Sequence, residues 1–395
     1  MEHAFSMIAV MLAAGAVTMA VTPAMIRLLR SHAILDIPNE RSSHELPVPR
    51  GGGLSVLAVY AAANVALLGL GWVRLDATWL ALSIPLLALL ALGFFDDRSS
   101  LRVSTRLLVQ GGAAAWAVWL GDLALPALQF PLLPAVDLGF WGPVFSWLWL
   151  VGFTNVFNFM DGINGLAGFQ AVLAALALAA LTAAGGDAGF AWLAMAMAGC
   201  SLGFLRHNFP RARIFLGDAG SLPLGFFLAF GVLHASCVVP RPQLFVLTLL
   251  VVWPFFFDGV FTLLGRVLRR QRLGDAHRDH LYQLLVRAGC SHTGVTAGYA
   301  VAMLACAALA VAMGLGSGGR AAAGFYAVVL LSLACAGLIL RFHAQRGAIA
   351  AREAGVRAVG EALADLRAAA RAAQKIGVPA PGDARVAGAE PADRK

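Results

Sequence analysis

Charged residues are scarce in this sequence of 395 residues: they make up 13% of it, whereas hydrophobic residues make up 60%. A soluble globular domain is about 25% charged and about 45–50% apolar, so the composition excludes an ordinary soluble fold. Intrinsic disorder is excluded as well, because disordered chains are poor in apolar residues. The mean hydropathy of +0.78 is typical of a chain that crosses a membrane several times.

Lysine is almost absent. Of the 29 basic residues 27 are arginine, and they lie in short groups between apolar runs, which argues against a nucleic acid partner. A signal peptide is not predicted, because Glu2 and His3 stand where it would carry positive charge, so the first apolar run is interpreted as a retained span. The few cysteines fit neither close metal-ligand spacing nor a secreted disulfide framework: Cys200, Cys237, Cys290, Cys306 and Cys335.

Long apolar runs dominate the rest of the chain. A bilayer-crossing helix needs about 20 largely apolar residues, and eleven such runs predict an all-α, polytopic membrane protein with about eleven transmembrane helices. The repeated halves that are common in transporters are not apparent. The predicted spans are residues 5–29, 53–73, 77–94, 104–121, 142–160, 165–184, 189–205, 219–238, 244–264, 293–314 and 322–341.

Arginines are divided unequally between the two sets of loops. One set holds three, and the other set holds fourteen, at 30–52, 95–103, 206–218 and 265–292. Short loops rich in arginine stay in the cytoplasm, so the N-terminus is predicted outside and the C-terminus inside. Residues 1–342 then form the transmembrane domain, and residues 343–395 form a cytosolic Ala/Arg-rich helical tail with a disordered end.

Five polar clusters fall on the predicted cytoplasmic face. The first, DIPNERSSHELPVPRGGG at 36–53, is predicted to be a loop because prolines and three glycines interrupt it. His44 and Arg50 are cationic groups suited to phosphate, and the glycine N–H groups can approach an anion. A positive-inside loop with a glycine hinge is the alternative.

The second cluster, GFFDDRSS at 93–100, places Asp96 and Asp97 at the inner end of a span. Adjacent carboxylates repel each other, so retaining both near apolar surface fits a shared cation or proton. The alternative is a solvated helix end in which Arg98 and Arg102 pair with the two aspartates.

The third cluster, NVFNFMDGINGLAG at 155–168, spaces Asn155, Asn158 and Asp161 three residues apart, so they share one face if helical. Glycines then break the helix. The amides and the carboxylate can hydrogen-bond a nucleobase or a ribose, while hydrogen bonding between helices is the structural alternative.

The fourth cluster, RHNFPRARIFLGDAGSL at 206–222, contains Asn208 and Arg213 before a Gly-Asp-x-Gly-Ser turn that opens the next span. The N–H groups at that helix start are expected to form an anion site. Asp218 is interpreted either as the N-cap of this helix or as a magnesium ligand beside a phosphate.

The fifth cluster begins at Asp258, a carboxylate inside a span and therefore a functional candidate, with Arg266 as its simplest ion-pair partner. A His-x-x-His pair follows, but no third zinc ligand is evident nearby. Histidines and arginines directed at phosphate fit this cluster better; they are Arg266, Arg269, Arg270, Arg272, His277, Arg278 and His280. Taken together, carboxylates for one magnesium ion and surrounding arginines favour phosphoryl transfer at the lipid boundary.

These five motifs, in this order over Asp36–Gly289, resemble those of the polyprenyl-phosphate N-acetylhexosamine-1-phosphate transferases. That superfamily includes the phospho-MurNAc-pentapeptide translocase of peptidoglycan synthesis and the enzymes that initiate O-antigen. The version RSSHELPVPRGGG is most similar to the O-antigen branch, whose members use UDP-N-acetylated, often 6-deoxy, sugars.

The resemblance implies transfer of an N-acetylhexosamine-1-phosphate from a UDP-sugar to undecaprenyl phosphate in the bilayer, with UMP released. The sugar would be GlcNAc or a 6-deoxy sugar such as FucNAc or QuiNAc. It also implies Mg²⁺ as cofactor, with Mn²⁺ as an alternative ion, and a bacterial inner membrane location with the site facing the cytoplasm. A homodimer and association with downstream glycosyltransferases are compatible with this class.

Carried over to this sequence, Asp96, Asp97 and His280 fall at the catalytic positions, and Asp218 resembles the magnesium ligand, with Asp97 as a second ligand. Direct attack by the lipid phosphate on the β-phosphorus is the expected mechanism, and a covalent intermediate on Asp97 is the alternative. The substrate-binding positions are His44, Arg50, Asn155, Asn158, Asp161, Asn164, Asn208, Arg213, Arg269, Arg270 and His277.

Two departures from the family pattern stand out. Many relatives have aspartate where this chain has Asn164, so that position cannot be a charged ligand, and the usual histidine-rich run is HLYQ. The rival function is a transporter, which predicts polar groups near the midplane, whereas only Asp258 and His234 look embedded here. A noncatalytic scaffold is the third alternative, and it would tolerate neutralisation of the aspartates.

Overall fold

The structure is a computed structural model that describes residues 2–36, 47–238, 244–271, 278–315 and 320–375. The predicted substrate residues His44 and His277 lie outside these ranges. The helices are α1 (Glu2–Ser31), α2 (Gly53–Gly69), α3 (Ala77–Ser99), α4 (Val103–Leu120), α5 (Trp141–Met160), α6 (Leu166–Ala184), α7 (Ala188–Asn208), α8 (Asp218–Val238), α9 (Leu244–Leu249), α10 (Trp253–Leu268), α11 (Leu281–Arg287), α12 (His292–Leu315) and α13 (Arg320–Lys375).

Every predicted span coincides with helical structure. The ninth, 244–264, is a composite of α9, a 3-10 segment at Leu250–Val252, and α10. Among the described residues, eight helical stretches are long and apolar enough to cross a membrane, and α2 is apolar but shorter. The protein is therefore a polytopic helical membrane protein, while the count of eleven spans and the orientation of the termini stay predictions.

Four two-residue strands were not predicted. Strand β1 (Leu35–Asp36) pairs antiparallel with β2 (Val48–Pro49), and β3 (Ala127–Leu128) pairs antiparallel with β4 (Val136–Asp137). Each pair has only two residues per strand, too short to show the alternation of apolar and polar residues from which a strand is predicted. The chain divides into two compact units, Met1–Ile339 and Leu340–Lys395.

Helix α8 lies at the centre of the first unit, packed against α2, α3, α5 and α6. Its side chains are buried along nearly its whole length, as expected for a helix that is apolar on all faces. Helix α1 packs against α7, where a Cβ on Gly199 would lie 2.1 Å from the carbonyl oxygen of Met11. Such close backbone approach through small residues is typical of membrane helix pairs.

Candidate active site

The carboxyl end of α3, the carboxyl end of α5 and the amino end of α8 meet at one end of the first unit. Helix α3 approaches α8 at Gly93, where a Cβ would lie only 2.2 Å from the carbonyl oxygen of Asp218. Asp97 lies four residues later on the same face of α3, so its side chain reaches the first turn of α8.

Asp97 caps α8. One carboxylate oxygen accepts the N–H of Asp218 at 2.9 Å and the other accepts the N–H of Ala219 at 3.0 Å. The next two N–H groups of the helix bond the carbonyl of Gly217 at 3.0 and 2.9 Å. The first turn of α8 is therefore satisfied from within the chain, and the predicted anion site at this helix start is wrong. The N-cap role predicted for Asp218 is wrong too, because Asp97 supplies the cap.

The Asp218 side chain points away from its own helix and toward three other segments. Its Oδ1 accepts hydrogen bonds from Arg50 Nη2 and from Asn158 Nδ2, both at 3.0 Å. Its carboxyl group also lies close enough to that of Asp96 for the two to interact electrostatically. Two neighbouring carboxyl groups favour a proton or a cation between them. The sequence predicted such sharing between Asp96 and Asp97, and that sharing stays a prediction.

Asp96 lies near the carboxyl end of α3, and although it is charged it is buried, with 7% of its surface exposed. Its Oδ2 forms an ion pair with Arg106 of α4 at 3.2 Å, and its Oδ1 accepts the N–H of Leu101 at 2.6 Å. The predicted pairing of the two aspartates with Arg98 and Arg102 is wrong, because their partners are Arg106 and Arg50.

Arg50 bridges two of the carboxylates. Its Nε lies 2.7 Å from Asp97 Oδ1, and its Nη2 lies 3.0 Å from Asp218 Oδ1. Backbone hydrogen bonds hold the arginine's segment in place, because the N–H of Phe215 donates to Pro49 O and the N–H of Gly52 donates to Phe215 O, both at 2.8 Å. Burial alone would lower the pKa of Arg50, but the neighbouring carboxylates raise it above its ordinary value. Arg50 thus remains a fixed positive charge.

Asp161, which directly follows α5, adds a further carboxyl group. Loss of contact with water raises its pKa well above the ordinary value, Arg50 opposes that rise, and the negative charges of Asp218 and Asp97 add to it. Asn158 lies one turn earlier and donates to Ser221 Oγ at 2.7 Å as well as to Asp218. The structure therefore brings Arg50, Asp96, Asp97, Asn158, Asp161 and Asp218 together.

Three other predicted substrate residues have structural contacts. Asn155 donates to Gln110 Oε1 of α4 at 2.6 Å, which is the interhelical amide contact named as the alternative. Asn208 is buried and uses both polar atoms on backbone, accepting from Gly165 N at 2.7 Å and donating to Ile214 O at 2.9 Å. Asn164 donates to Pro210 O at 3.2 Å. These residues tie helices and loops together, and their contacts give no support to the predicted binding of substrate.

The predicted phosphate contacts Arg213, Arg269 and Arg270 are exposed, and their binding of phosphate stays a prediction. The structure instead identifies Arg106, which was missed. An arginine inside the apolar run 104–121 was the available signal, because ionisable groups in a span are costly and are usually retained for a function or a partner.

His280 is buried, with 3% of its surface exposed, and it is the N-cap residue of α11. Its ring centroid lies 6.3 Å from that of Phe159, and Tyr282 Oη donates to Phe159 O at 3.1 Å. Helix α11 therefore begins beside the end of α5, next to the segment that carries Asn158 and Asp161. The predicted pairing of Asp258 with Arg266 is wrong: Arg266 pairs with Asp279 at 3.0 Å, and Asp258 contacts His280.

The part of the chain that the structure describes holds no group of three His, Cys, Asp or Glu side chains arranged around a common metal position. The described residues do include two neighbouring carboxylates, Asp96 and Asp218. Asp96 pairs with Arg106, and Asp218 pairs with Arg50. Such an arrangement can bind a phosphorylated substrate through the arginines and one divalent ion through the carboxylates.

Comparison with the sequences of known proteins identifies the family of this chain. The glycosyl transferase family 4 profile matches residues 79–236, which run from α3 to α8. A decaprenyl-phosphate N-acetylglucosaminephosphotransferase of Mycobacterium tuberculosis is 30% identical, over 68% of this chain and 73% of its own length. An undecaprenyl-phosphate alpha-N-acetylglucosaminyl 1-phosphate transferase of Thermotoga maritima is 27% identical, over 64% of this chain and 73% of its own.

A phospho-N-acetylmuramoyl-pentapeptide-transferase of Synechococcus is 36% identical, over 46% of this chain and 54% of its own length. These matches confirm the resemblance that the five ordered motifs indicated. The chain therefore belongs to glycosyl transferase family 4 and is a membrane-bound sugar-1-phosphate transferase.

Proposed function

We propose that this protein transfers N-acetylhexosamine-1-phosphate from a UDP-sugar to undecaprenyl phosphate and releases UMP. The observation that carries the proposal is the convergence of Asp96, Asp97 and Asp218 with Arg106 and Arg50 at the meeting point of α3, α5 and α8. Phosphoryl transfer needs positioning and charge neutralisation more than it needs covalent chemistry from the protein, and this group of residues supplies both.

The donor set fits Mg²⁺. This ion prefers oxygen ligands and is usually held by one or two carboxylates together with substrate phosphates and water. Asp96 and Asp218 lie close enough to interact electrostatically, and a cation between them would offset the repulsion of their negative charges. Asp97 fits less well than the sequence predicted, because its two oxygens already accept the α8 N–H groups and Arg50. When bound, Mg²⁺ would neutralise charge on the phosphates of the donor.

In the proposed reaction a phosphate oxygen of the lipid attacks the β-phosphorus of the UDP-sugar. A new P–O bond forms, the bond from the β-phosphorus to the bridging oxygen breaks, and UMP leaves with that oxygen. Arg50 and Arg106 would stabilise the charge that develops on the transferred phosphoryl group. The hydrogen bonds of Asp97 favour this direct route over a covalent intermediate on that residue, because a carboxylate that is bonded through both oxygens is a poor nucleophile.

Asn158 and Asp161 are proposed to face the nucleotide, since they project from the end of α5 toward Arg50 and Asp218. His280 is proposed to contact the reacting phosphates from α11, which begins beside that same end of α5. The raised pKa of Asp161 makes its protonated carboxyl a hydrogen-bond donor as well as an acceptor over a wider pH range than usual.

The names of the relatives make GlcNAc the first sugar to test and a polyprenyl phosphate the acceptor. They are named as transferases, and they give no support to the transporter alternative. The uneven distribution of arginines supports a location in the bacterial inner membrane with the site facing the cytoplasm.

The experiment is UMP release by detergent-purified protein given undecaprenyl phosphate, Mg²⁺ and a panel of UDP-N-acetylhexosamines that includes the 6-deoxy sugars. Wild type is expected to release UMP only when lipid and metal are both present. Asp218→Asn and Asp96→Asn should each lower kcat by at least about 100-fold, the scale of losing one transition-state electrostatic contact.

Asp137→Asn is the matched control, because this exposed aspartate of β4 makes only a local turn contact with Gly139 N. It should retain the wild-type rate. If folded wild-type protein releases no UMP with any sugar of the panel, the proposal is overturned. Uptake of a UDP-sugar into proteoliposomes without UMP release would favour the transporter instead.

A further inference from the structure

Asp258 is a carboxylate in the middle of an apolar helix, and it is almost completely buried, with 1% of its surface exposed. A carboxylate in such surroundings is retained only when donors surround it. The structure supplies five donors from three elements: His280 Nδ1 at 3.1 Å, Leu281 N at 2.9 Å, Tyr282 N at 3.3 Å, Tyr299 Oη at 2.7 Å and Thr262 Oγ1 at 3.2 Å.

Two of these donors are the first N–H groups of α11, so Asp258 caps that helix just as Asp97 caps α8. A cap alone does not call for the contact with the histidine ring. The same oxygen, Oδ1, that accepts the N–H of Leu281 also faces Nδ1 of His280. The carboxylate thus fixes both where α11 begins and how the ring at its N-cap is oriented.

We propose that Asp258 is a positioning residue that holds His280 in one orientation and one tautomer, an inference that rests on the proposed function of the site. In this proposal the ring donates from Nδ1 to the carboxylate, which only accepts hydrogen bonds, so the proton of the neutral imidazole is on Nδ1. Nε2, on the opposite side of the ring, is then the nitrogen that can accept a proton or a hydrogen bond from a substrate group. Carboxylates that orient histidines in this way recur wherever the second ring nitrogen has a chemical task.

Tyr299 provides a control that separates this role from general stabilisation. It donates to Oδ2 of Asp258, whereas His280 contacts Oδ1. Tyr299→Phe removes a hydrogen bond to the same carboxylate and leaves the contact with the ring intact. If Asp258 mattered only as a buried anion, Tyr299→Phe and Asp258→Asn would lower activity in proportion to their loss of thermal stability.

The kinetic test compares UMP release by wild type, Asp258→Asn, His280→Ala, the double variant and Tyr299→Phe. Asp258→Asn is expected to lower kcat about 10- to 100-fold, the usual effect of removing such an outer partner, with the KM for the UDP-sugar changed less than about twofold. In the His280→Ala background the same change should alter kcat by less than about twofold. Tyr299→Phe should lower the melting temperature and retain kcat.

Equal losses from Asp258→Asn with and without His280 would overturn the proposal, and so would a wild-type kcat in that variant. A second measurement does not depend on activity: the imidazole ¹⁵N shifts of ¹⁵N-histidine-labelled protein, with the His280 signal identified by its loss in His280→Ala. The expected wild-type signal is a protonated Nδ1 and an unprotonated Nε2, and Asp258→Asn should shift it toward the other tautomer. A wild-type His280 with its proton on Nε2 would overturn the proposal even if no UDP-sugar were turned over, whereas the proposed function fails only in the UMP assay.

Discussion

Four aspartates of this protein share the same side chain but have two different roles. The groups that surround each aspartate determine which role it has. Asp97 and Asp258 accept backbone N–H groups and hold the starts of α8 and α11. Asp96 and Asp218 cap neither helix; they lie near each other, and they pair with Arg106 and Arg50 respectively. A carboxylate with filled hydrogen-bonding positions organises the backbone, and one with a like-charged neighbour calls for a cation.

The role of Asp97 as a cap predicts that it carries no covalent intermediate. We expect acid-quenched turnover to leave the mass of the protein unchanged, because both oxygens of Asp97 are engaged by Arg50 and α8. Asp97→Ala should lower the free energy of unfolding by about 1–2 kcal/mol through loss of the cap, with a further loss because Arg50 is left unpaired. Intact-protein mass spectrometry and thermal unfolding check these expectations.

Asp96→Asn is the comparison for that experiment, because it changes the adjacent carboxylate without touching the cap of α8. It should lose activity and keep a melting temperature closer to that of wild type. An added mass equal to a sugar phosphate, mapped to the peptide that contains Asp97, would contradict the prediction and favour the covalent route.

Asp187 lies at the other end of the first unit. Its hydrogen bonds lead us to expect that the stability of the fold depends on pH. Burial alone would raise its pKa, but hydrogen bonds from His234 at 2.5 Å and from Phe190 N at 3.0 Å lower it below the ordinary value. The folded state therefore keeps Asp187 ionised at a pH where the unfolded chain binds a proton. This contribution to stability is present above the ordinary aspartate pKa of about 3.9 and is lost as the pH falls through the lower, folded value.

We expect wild type to melt at a higher temperature than Asp187→Asn at pH 7, and the difference to shrink below about pH 4. Melting temperatures of both proteins in detergent, measured over a pH series, provide the test. A difference that stays constant across the series would show that the ionised carboxylate of Asp187 does not stabilise the fold.

At the scale of elements, the long helices could be predicted because their cause is local. An apolar run of the right length indicates a span, and all eleven predicted runs coincide with helical structure. The paired strands and α11 could not be predicted in this way, because two-residue strands and a seven-residue helix carry too little periodicity. The start of α11 is fixed by a distant residue, because Asp258 of α10 caps it.

Helices α3 and α8 pack so closely at Gly93 that we expect a single added methyl group, in Gly93→Ala, to reduce both activity and stability. A Cβ on residue 93 would lie 2.2 Å from a backbone oxygen of α8, which no side-chain rotation can relieve. Gly93→Ala should push the helices apart, remove Asp97 from the N–H groups it caps and reduce UMP release by at least about tenfold, with a lower melting temperature.

Gly152→Ala in α5 is the matched control, because no atom lies within 4 Å of its added Cβ. Alanine is favoured over glycine in a helix by about 1 kcal/mol, so this variant should keep its activity and be as stable as wild type or more so. Equal behaviour of the two variants would show that close packing at Gly93 does not position the site.

At the scale of the whole molecule, the site joins residues that are far apart in the chain. Arg50, Asp97, Asn158 and Asp218 come from four segments, and only the fold brings them into contact. Sequence patterns could identify polar residues at the ends of spans, because an apolar stretch makes them conspicuous. They could not assign partners, since the choice between Arg98 and Arg106, or between Arg266 and His280, depends on how helices pack.

The arginine-rich loops all fall in one of the two sets of loops, and this uneven distribution predicts that the two ends of the first unit face different compartments. Helix α4 begins at the site, where Arg106 meets Asp96, so the loop that follows it lies at the opposite end. Leu133 in that loop and Arg211 in the loop before α8 are both exposed, and either can be replaced by a reporter cysteine. The positive-inside rule puts Arg211 in the cytoplasm and Leu133 outside.

In a variant whose native cysteines are replaced, a membrane-impermeant maleimide applied to intact spheroplasts should label Leu133→Cys and leave Arg211→Cys unlabelled until the membrane is opened. Labelling of Arg211→Cys in sealed cells would reverse the orientation and place the carboxylate pair on the face that UDP-sugars do not reach. The proposed donor is a charged, water-soluble nucleotide sugar that cannot cross the bilayer unaided. The proposed function therefore requires the predicted orientation, and the reversed orientation would contradict both.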